Sequence, residues 1–239
     1  MAANPKKLRI VDAHLDNPST RVLAIECVEG EPFARVGGKY VIVHTGIVVD
    51  GKSIKRAYSM MPVANAPGRA WLTVKRLGAG VGSNALHDAP VGTELLFSGP
   101  WGKLLPEEEA ITEPTLVVAT DTGITAALGV AEQTRTRPAA AVLWLRAEDE
   151  TFLDVGGVRE RAGHAGARFA VAPLPPVGDA GRVQAATPAV EALLAETGAT
   201  LVIAAGDGAV IHPLRDRLVN RVREVRLESF FQNPEKRVS

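Results

Sequence analysis

Two rhythms of apolar and polar positions divide the chain. From Leu8 to Pro106 the apolar residues come in short, β-branched runs broken by Gly, Pro and Asp, among them Thr20–Val28, Tyr40–Val49 and Trp71–Val74. Runs of that length and composition predict an antiparallel sheet closed into a small β-barrel. One helix-like segment, Ser83–His87, follows a glycine-rich turn inside it. The acidic stretch Pro106–Pro114 reads as a linker. Beyond it the rhythm changes to alternation. Leu116–Ala119, Ala141–Leu145, Phe169–Val171 and Leu201–Ala205 read as strands, and Ile124–Gln133, Phe152–Ala162, Pro188–Glu196 and Ala209–Val222 as helices. Alternation of this kind predicts βαβ units and a doubly wound parallel sheet, whose ligands sit beyond the carboxyl ends of its strands. The expected organisation is an N-terminal antiparallel β-barrel domain over residues 1–108 and a C-terminal Rossmann-like α/β domain over residues 114–239, with Pro173–Asp179 as a surface loop.

Composition narrows the function classes. Lys plus Arg balance Asp plus Glu at 27 each, so no net field draws a polyanion or an anionic membrane, and nucleic acid is not an expected partner. The single Cys27 rules out a disulfide framework and a cysteine-bound iron–sulfur cluster, which takes about four thiolates. Cys27 itself reads as a buried small apolar residue. Met1–Arg9 lacks the apolar core of a signal peptide, and no run approaches the roughly eighteen apolar residues of a membrane span. The expectation is a soluble, cytoplasmic protein, monomeric or dimeric. His14, His44, His87, His164 and His212 show no metal-ligand spacing, so no metal site is expected, and no G-x-S-x-G elbow points to a hydrolase.

The chemistry gathers in a series of motifs. Arg56-Ala57-Tyr58-Ser59 ends a predicted strand, and read alone it is an edge strand with a packed Tyr. Trp71-Leu72-Thr73-Val74-Lys75-Arg76 follows, then Gly80-Val81-Gly82-Ser83-Asn84-Ala85-Leu86, then Gly99-Pro100-Trp101-Gly102. In order and spacing these resemble the flavin half of plant-type ferredoxin–NADP reductases: R-x-Y-S, a V-K strand, G-V-x-S-x-x-L opening a short helix, and G-P-x-G. The resemblance implies FAD as cofactor. Arg56 would offer its planar cation to the pyrophosphate, Tyr58 a ring to stack on the isoalloxazine and Ser59 a hydrogen bond to flavin N5. Thr73, Val74 and Lys75 would line the site. Gly80, Val81, Gly82 and Ser83 would bring backbone N–H groups to phosphate at a helix N-terminus. Trp101 is either packing or part of the pocket wall.

The second half resembles the same family less closely. Thr120-Asp121-Thr122-Gly123-Ile124-Thr125 lies between a predicted strand and helix, where the family has G-T-G-I-T-P, a loop that cradles the pyrophosphate of a pyridine nucleotide. The resemblance gives Thr122, Gly123 and Ile124 that role. Asp121 replaces a glycine and sets a carboxylate where a pyrophosphate is expected, unless it turns away to cap the helix. The siderophore-reducing flavoproteins, a related branch, are similar in placing an acid there. Gly206, in Ala204-Ala205-Gly206-Asp207-Gly208, matches the family's C-G element with Ala205 in the Cys position. No Ser-Arg pair for a 2′-phosphate follows Val171, and Arg146, at the end of the preceding predicted strand, is either a substitute phosphate contact or an ordinary surface Arg. Val225-Arg226-Leu227-Glu228-Ser229-Phe230 resembles the V-x-x-E-x-aromatic ending, which implies Glu228 beside the nicotinamide and Phe230 over the flavin face opposite Tyr58. The tail from Phe231 to Ser239 extends past it and would cover or gate the flavin.

The implied function is an oxidoreductase passing electrons between NADPH or NADH and an external carrier such as ferredoxin, flavodoxin or a small acceptor through FAD, with Ser59, Glu228, Tyr58 and Phe230 around the reacting atoms. The alternative is an FAD-binding electron-transfer or interaction subunit with an impaired nucleotide site.

Overall fold

The computed structural model describes residues 5–78, 80–105, 113–133 and 140–231. The expected linker lies mostly outside these residues, and the C-terminal tail beyond Phe231 wholly so. The N-terminal sheet has seven strands, β1 (Lys6–Asn17), β2 (Thr20–Cys27), β3 (Tyr40–Val49), β4 (Lys52–Ser59), β5 (Met61–Pro62), β6 (Arg69–Lys75) and β7 (Glu94–Trp101), in the order β4-β3-β7-β1-β2-β6-β5. Its turns follow from local chemistry. Asp50 and Gly51 both take positive φ, 49° and 72°, as the two-residue β3–β4 hairpin requires. At the β1–β2 turn the Asn17 carboxamide oxygen accepts from Ser19 N at 3.0 Å. The sheet closes because β4 and β5 form one run interrupted only at Met60: β4 pairs with β3, and β5 pairs with β6 across the barrel. Ile10, Leu23, Ile25, Val41, Val43, Leu72, Val74 and Phe97 fill the interior. Helix α1 (Val81–Asp88) lies between β6 and β7 and begins two residues before the expected Ser83.

The C-terminal sheet is parallel, with β8 (Thr115–Thr120), β9 (Ala140–Arg146), β10 (Arg168–Pro173), β11 (Leu201–Asp207) and β12 (Glu224–Phe231) in the order β10-β9-β8-β11-β12. Strands β8 and β11 are buried along their whole length, as the centre of a parallel sheet covered on both faces demands. Helices α2 (Ile124–Gln133) and α3 (Val155–His164) pack on one face, α4 (Arg182–Thr197) and α5 (Gly208–Leu218) on the other. Helix α4 starts six residues before the expected Pro188, which sits inside it, and α5 ends at Leu218 rather than Val222. The strand order reverses between β8 and β11, so their carboxyl ends frame the crevice where such sheets take ligands.

The two sheets are locked by close backbone approach and by polar contacts. A Cβ on Gly37 would lie 2.2 Å from the Gly129 carbonyl oxygen, and one on Gly129 2.5 Å from that of Met60, so both positions admit only glycine at this spacing. Met61 and Leu104 of the barrel side pack into the same core as α2 and β8. The Asn17 amide donates to Thr151 O at 2.7 Å, and the Lys75 ammonium pairs with Glu150 in the β9–α3 connection.

Candidate functional site

The FAD motifs of the sequence converge on one end of the barrel. Register aligns Ser59 of β4 with Tyr40 of β3, and Tyr40 with Trp101 of β7, so the two motif-bearing strand ends lie side by side. Arg56 stands exposed on edge strand β4, two residues from the half-buried Tyr58. Ser59 is buried. The Tyr58 ring packs against the barrel core and its hydroxyl is buried with no partner among the described residues. Burial pushes that phenol up to about 12, with Arg56 opposing. Thr73 carries a second orphaned hydroxyl, and the Val74 side chain is wholly inside, leaving only its backbone to meet a ligand. That backbone has room to do so, because β5 pairs with β6 only at Ala70 and Trp71. Lys75 is engaged with Glu150.

Helix α1 rests directly on this region. A Cβ on Gly82 would lie 2.6 Å from Ile54 Cγ2 and 3.5 Å from Arg56 Cγ, so Gly82 is what brings the first turn of the helix beside the Arg56 side chain. Gly80 supplies no side-chain cap, and the Ser83 hydroxyl donates to Gly80 O at 2.9 Å. The first-turn N–H groups of an uncapped helix are a ready anion site when a guanidinium stands alongside. Val81 and Trp101 are exposed around this cleft, at 53% and 42%. Two orphaned buried hydroxyls, an unpaired strand edge, an uncapped helix N-terminus and an exposed arginine fit a large, partly apolar ligand carrying phosphates.

Glu228 and Phe230 of β12 lie on the face turned toward the barrel, together with Arg226, whose guanidinium donates to Leu104 O at 3.4 Å. The Glu228 carboxylate approaches the G-P-W-G turn: a Cβ on Gly102 would stand 3.3 Å from its Oε2. Glu228 has no hydrogen-bond partner among the described residues, and burial alone pushes its carboxyl up to about 7. The Phe230 ring packs on the core shared by β8, β11 and α2, where apolar neighbours are within reach.

The β8–α2 loop is built by exclusion of side chains. Asp121–Gly123 form a single 3-10 turn, Thr122 is half-buried and Ile124 fully buried. A Cβ on Gly123 would lie 2.2 Å from Ala205 O, and one on Gly206, whose φ is 134°, would lie 2.2 Å from Thr120 Oγ1. Asp121, at φ 50°, neither caps α2 nor faces open solvent. Its carboxylate forms a buried ion pair with Arg182 of α4, and Arg182 Nε lies 3.3 Å from Asp207 Oδ2. Burial pushes the Asp121 carboxyl up, and Arg182 opposes it. Asp121 does not cap the helix, and the carboxylate that replaces the expected glycine is paired with Arg182. Arg146 lays its guanidinium 4.7 Å over Trp144, with its Nε buried and unpartnered among the described residues. Cys27 is half-buried rather than buried, its thiol donating to Glu29 O at 3.0 Å. His87 is buried, with Nδ1 3.0 Å from Arg76. Among the described residues no group of three His, Cys, Asp or Glu side chains is placed to hold a metal ion, and no helix is long and apolar enough to cross a membrane.

Comparison with known proteins agrees with this construction. Residues 9–105 match the family model of the oxidoreductase FAD-binding domain. A ferredoxin–NADP reductase B from Sorangium cellulosum is 32% identical over 143 residues, 60% of this chain and 57% of that protein, so the match spans little more than half of the relative's length. Among solved structures, the ferredoxin reductase of carbazole 1,9a-dioxygenase superposes with a TM-score of 0.72 at 15% identity, covering 95% of this chain and 70% of that one. The flavohem-like FAD/NAD binding domain of nitric oxide dioxygenase from Vibrio cholerae does so with a TM-score of 0.67 at 16% identity, over 94% of this chain and 98% of that one. Residues 9–105 are thus similar to an oxidoreductase FAD-binding domain, and the chain as a whole shares the two-domain fold of these solved structures.

Proposed function

We propose that the chain is an oxidoreductase that carries FAD on the barrel and passes electrons between NAD(P)H and an external acceptor, a carrier protein such as ferredoxin or flavodoxin or a small molecule. The observation that carries this reading is the approach of Glu228 to Gly102, which sets the carboxyl end of β12 against the strand ends bearing Ser59 and Trp101. A flavin lying across those ends would meet a nicotinamide arriving from the crevice between β8 and β11. The bound flavin supplies the redox chemistry. The protein's part is to hold the two rings in register and keep water out. Arg56 and the first turn of α1 would take the FAD pyrophosphate. Tyr58, Thr73 and the open edge of β6 would line the flavin, and Ser59 would orient it. Thr122, Gly123, Ile124 and Gly206 would form the nucleotide crevice, with Arg146 beside it. Glu228 would face the nicotinamide, where its carboxylate stabilises the positive charge that develops as the ring gives up hydride.

A second reading, an FAD-binding electron-transfer subunit with an impaired nucleotide site, draws support from the excess negative charge at Asp121 and Asp207. The FAD assignment common to both is tested at Arg56. Among the described residues its guanidinium has only the Lys55 carbonyl as a hydrogen-bond partner, so Arg56→Ala removes a phosphate contact without disturbing the fold. The expected result is FAD affinity weakened roughly tenfold to a hundredfold, the cost of one charge-assisted contact, with an unchanged melting temperature of the apoprotein. Retention of FAD on ultrafiltration measures it, and wild-type retention by the variant would remove Arg56 from the site.

A further inference from the structure

Three charged side chains, from the ends of three different elements, meet behind the β8–α2 turn. Arg182, at the first position of α4 and 2% exposed, pairs with the Asp121 carboxylate, lies 3.3 Å from Asp207 Oδ2 and donates through Nη1 to Pro175 O at 2.7 Å. Asp121 is further fixed by Trp144, whose indole N–H donates to its carbonyl oxygen at 2.8 Å. Asp207 is fixed by capping α5, its Oδ1 accepting from Ala209 N at 2.9 Å, and its own N–H donates to Thr120 Oγ1 at 2.7 Å. The cluster therefore ties together the connections after β8, β10 and β11, all at carboxyl ends of the parallel sheet. Two carboxylates against one guanidinium leave it one negative charge in excess, under the loop that would receive a dianionic pyrophosphate.

We infer that Arg182 is a positioning and specificity-determining residue for pyridine nucleotide: from outside the phosphate loop it offsets Asp121 and Asp207, and so makes the crevice between β8 and β11 tolerant of pyrophosphate. This rests on the reading that the crevice takes NAD(P)H. Arg182 does not contact the nucleotide, because its side chain is enclosed by the two carboxylates and Pro175. It acts through the charge it cancels. In a poorly hydrated site one uncompensated charge several ångströms from a dianion is worth about a factor of ten or more in affinity. Removing either carboxylate then has the opposite sign from removing the arginine, and removing one of each restores the balance.

The test is a set of variants of the full-length, FAD-loaded protein, titrated anaerobically with NADPH and with NADH while flavin reduction is followed. Arg182→Gln is expected to raise the half-saturating nucleotide concentration about tenfold or more, with a smaller effect on the limiting rate. Asp121→Asn, which keeps the hydrogen-bonding shape and tolerates positive φ, is expected to lower it severalfold. The double variant Asp121→Asn with Arg182→Gln is expected to return close to wild type. If Arg182 is only a brace for the fold, both single variants weaken binding and the double variant is no better than Arg182→Gln. That outcome overturns the inference. Should Arg182→Gln fail to fold, Asp207→Asn decides in its place, tighter binding supporting the inference and weaker binding overturning it. If the wild type responds and the order of variants is wrong, this inference alone falls. If the wild type and all variants are silent to both nucleotides, the nucleotide reading falls and takes the inference with it.

Discussion

Replacing Glu228 by Gln is expected to slow flavin reduction by NAD(P)H about tenfold to a hundredfold at pH 8, the range typical of losing one positioned charged group, and to abolish the pH dependence of that step near neutrality. The sign follows from the carboxyl's position. Burial holds it near 7, so at pH 6 most molecules carry it protonated and at pH 8 most carry it ionised. If the ionised form stabilises the cation developing on the nicotinamide, the wild-type rate climbs as pH rises through about 7, whereas the Gln variant is flat and low. Stability moves the other way. A carboxyl raised from 4.5 to about 7 on folding favours the folded state fully below about 4.5, and that contribution is lost as pH rises toward and past 7. The loss amounts to about 3 kcal/mol at most. Glu228→Gln should therefore melt higher than wild type at pH 8 and no higher at pH 4. Stopped-flow reduction across pH and thermal melts at the two pH values check both halves. A Gln variant with a wild-type pH profile would take Glu228 out of the hydride-transfer site.

Gly206→Ala is expected to abolish nucleotide binding and to cost roughly 3 kcal/mol or more, from a strained backbone and an overpacked contact together. The φ of 134° is open to glycine and strained for any L side chain, and the added Cβ would meet Thr120 at 2.2 Å from Oγ1 and 2.6 Å from its carbonyl oxygen. Those atoms are backbone and a hydroxyl held by Asp207 N, so the strand ends themselves must separate. For a chain of this size that cost corresponds to a fall in melting temperature of about 6 °C or more. The barrel is remote from the insult, so FAD should remain bound at the lower temperature. Calorimetry together with nucleotide titration reads the two effects, and a variant with wild-type melting and wild-type nucleotide response would show that β8 and β11 can part freely.

The barrel was the more legible half, for a physical reason. Its site motifs sit where backbone conformation dictates the residue: Gly82 where α1 touches Ile54, and Gly102 where φ is 126° and Gly38 O is 2.5 Å from a notional Cβ. Such demands leave glycine at fixed spacings, which can be read along the chain. Arg182 left no comparable trace. Pro188 offered a stronger helix-start signal than Gly181-Arg182, so the residues that open α4 fell outside the expected helix, and nothing local to Asp121 announces a partner 61 positions away. Phe230 was expected as an aromatic near the chain's last strand, and β12 carries it. That its ring would settle on the α2 core depends on tertiary neighbours contributed by β8 and β11. The enclosure of Tyr58 in the barrel wall likewise depends on packing that the R-x-Y-S pattern does not carry.

The most direct test of the central claim is the visible spectrum of the purified protein, followed by anaerobic titration with NADPH and with NADH. The account predicts a yellow protein with flavin absorption bands that bleach when one of the two nucleotides is added. A yellow protein that stays oxidised with both would establish the FAD site and contradict the reductase activity. A colourless protein that takes up no FAD on reconstitution would contradict the account at its base.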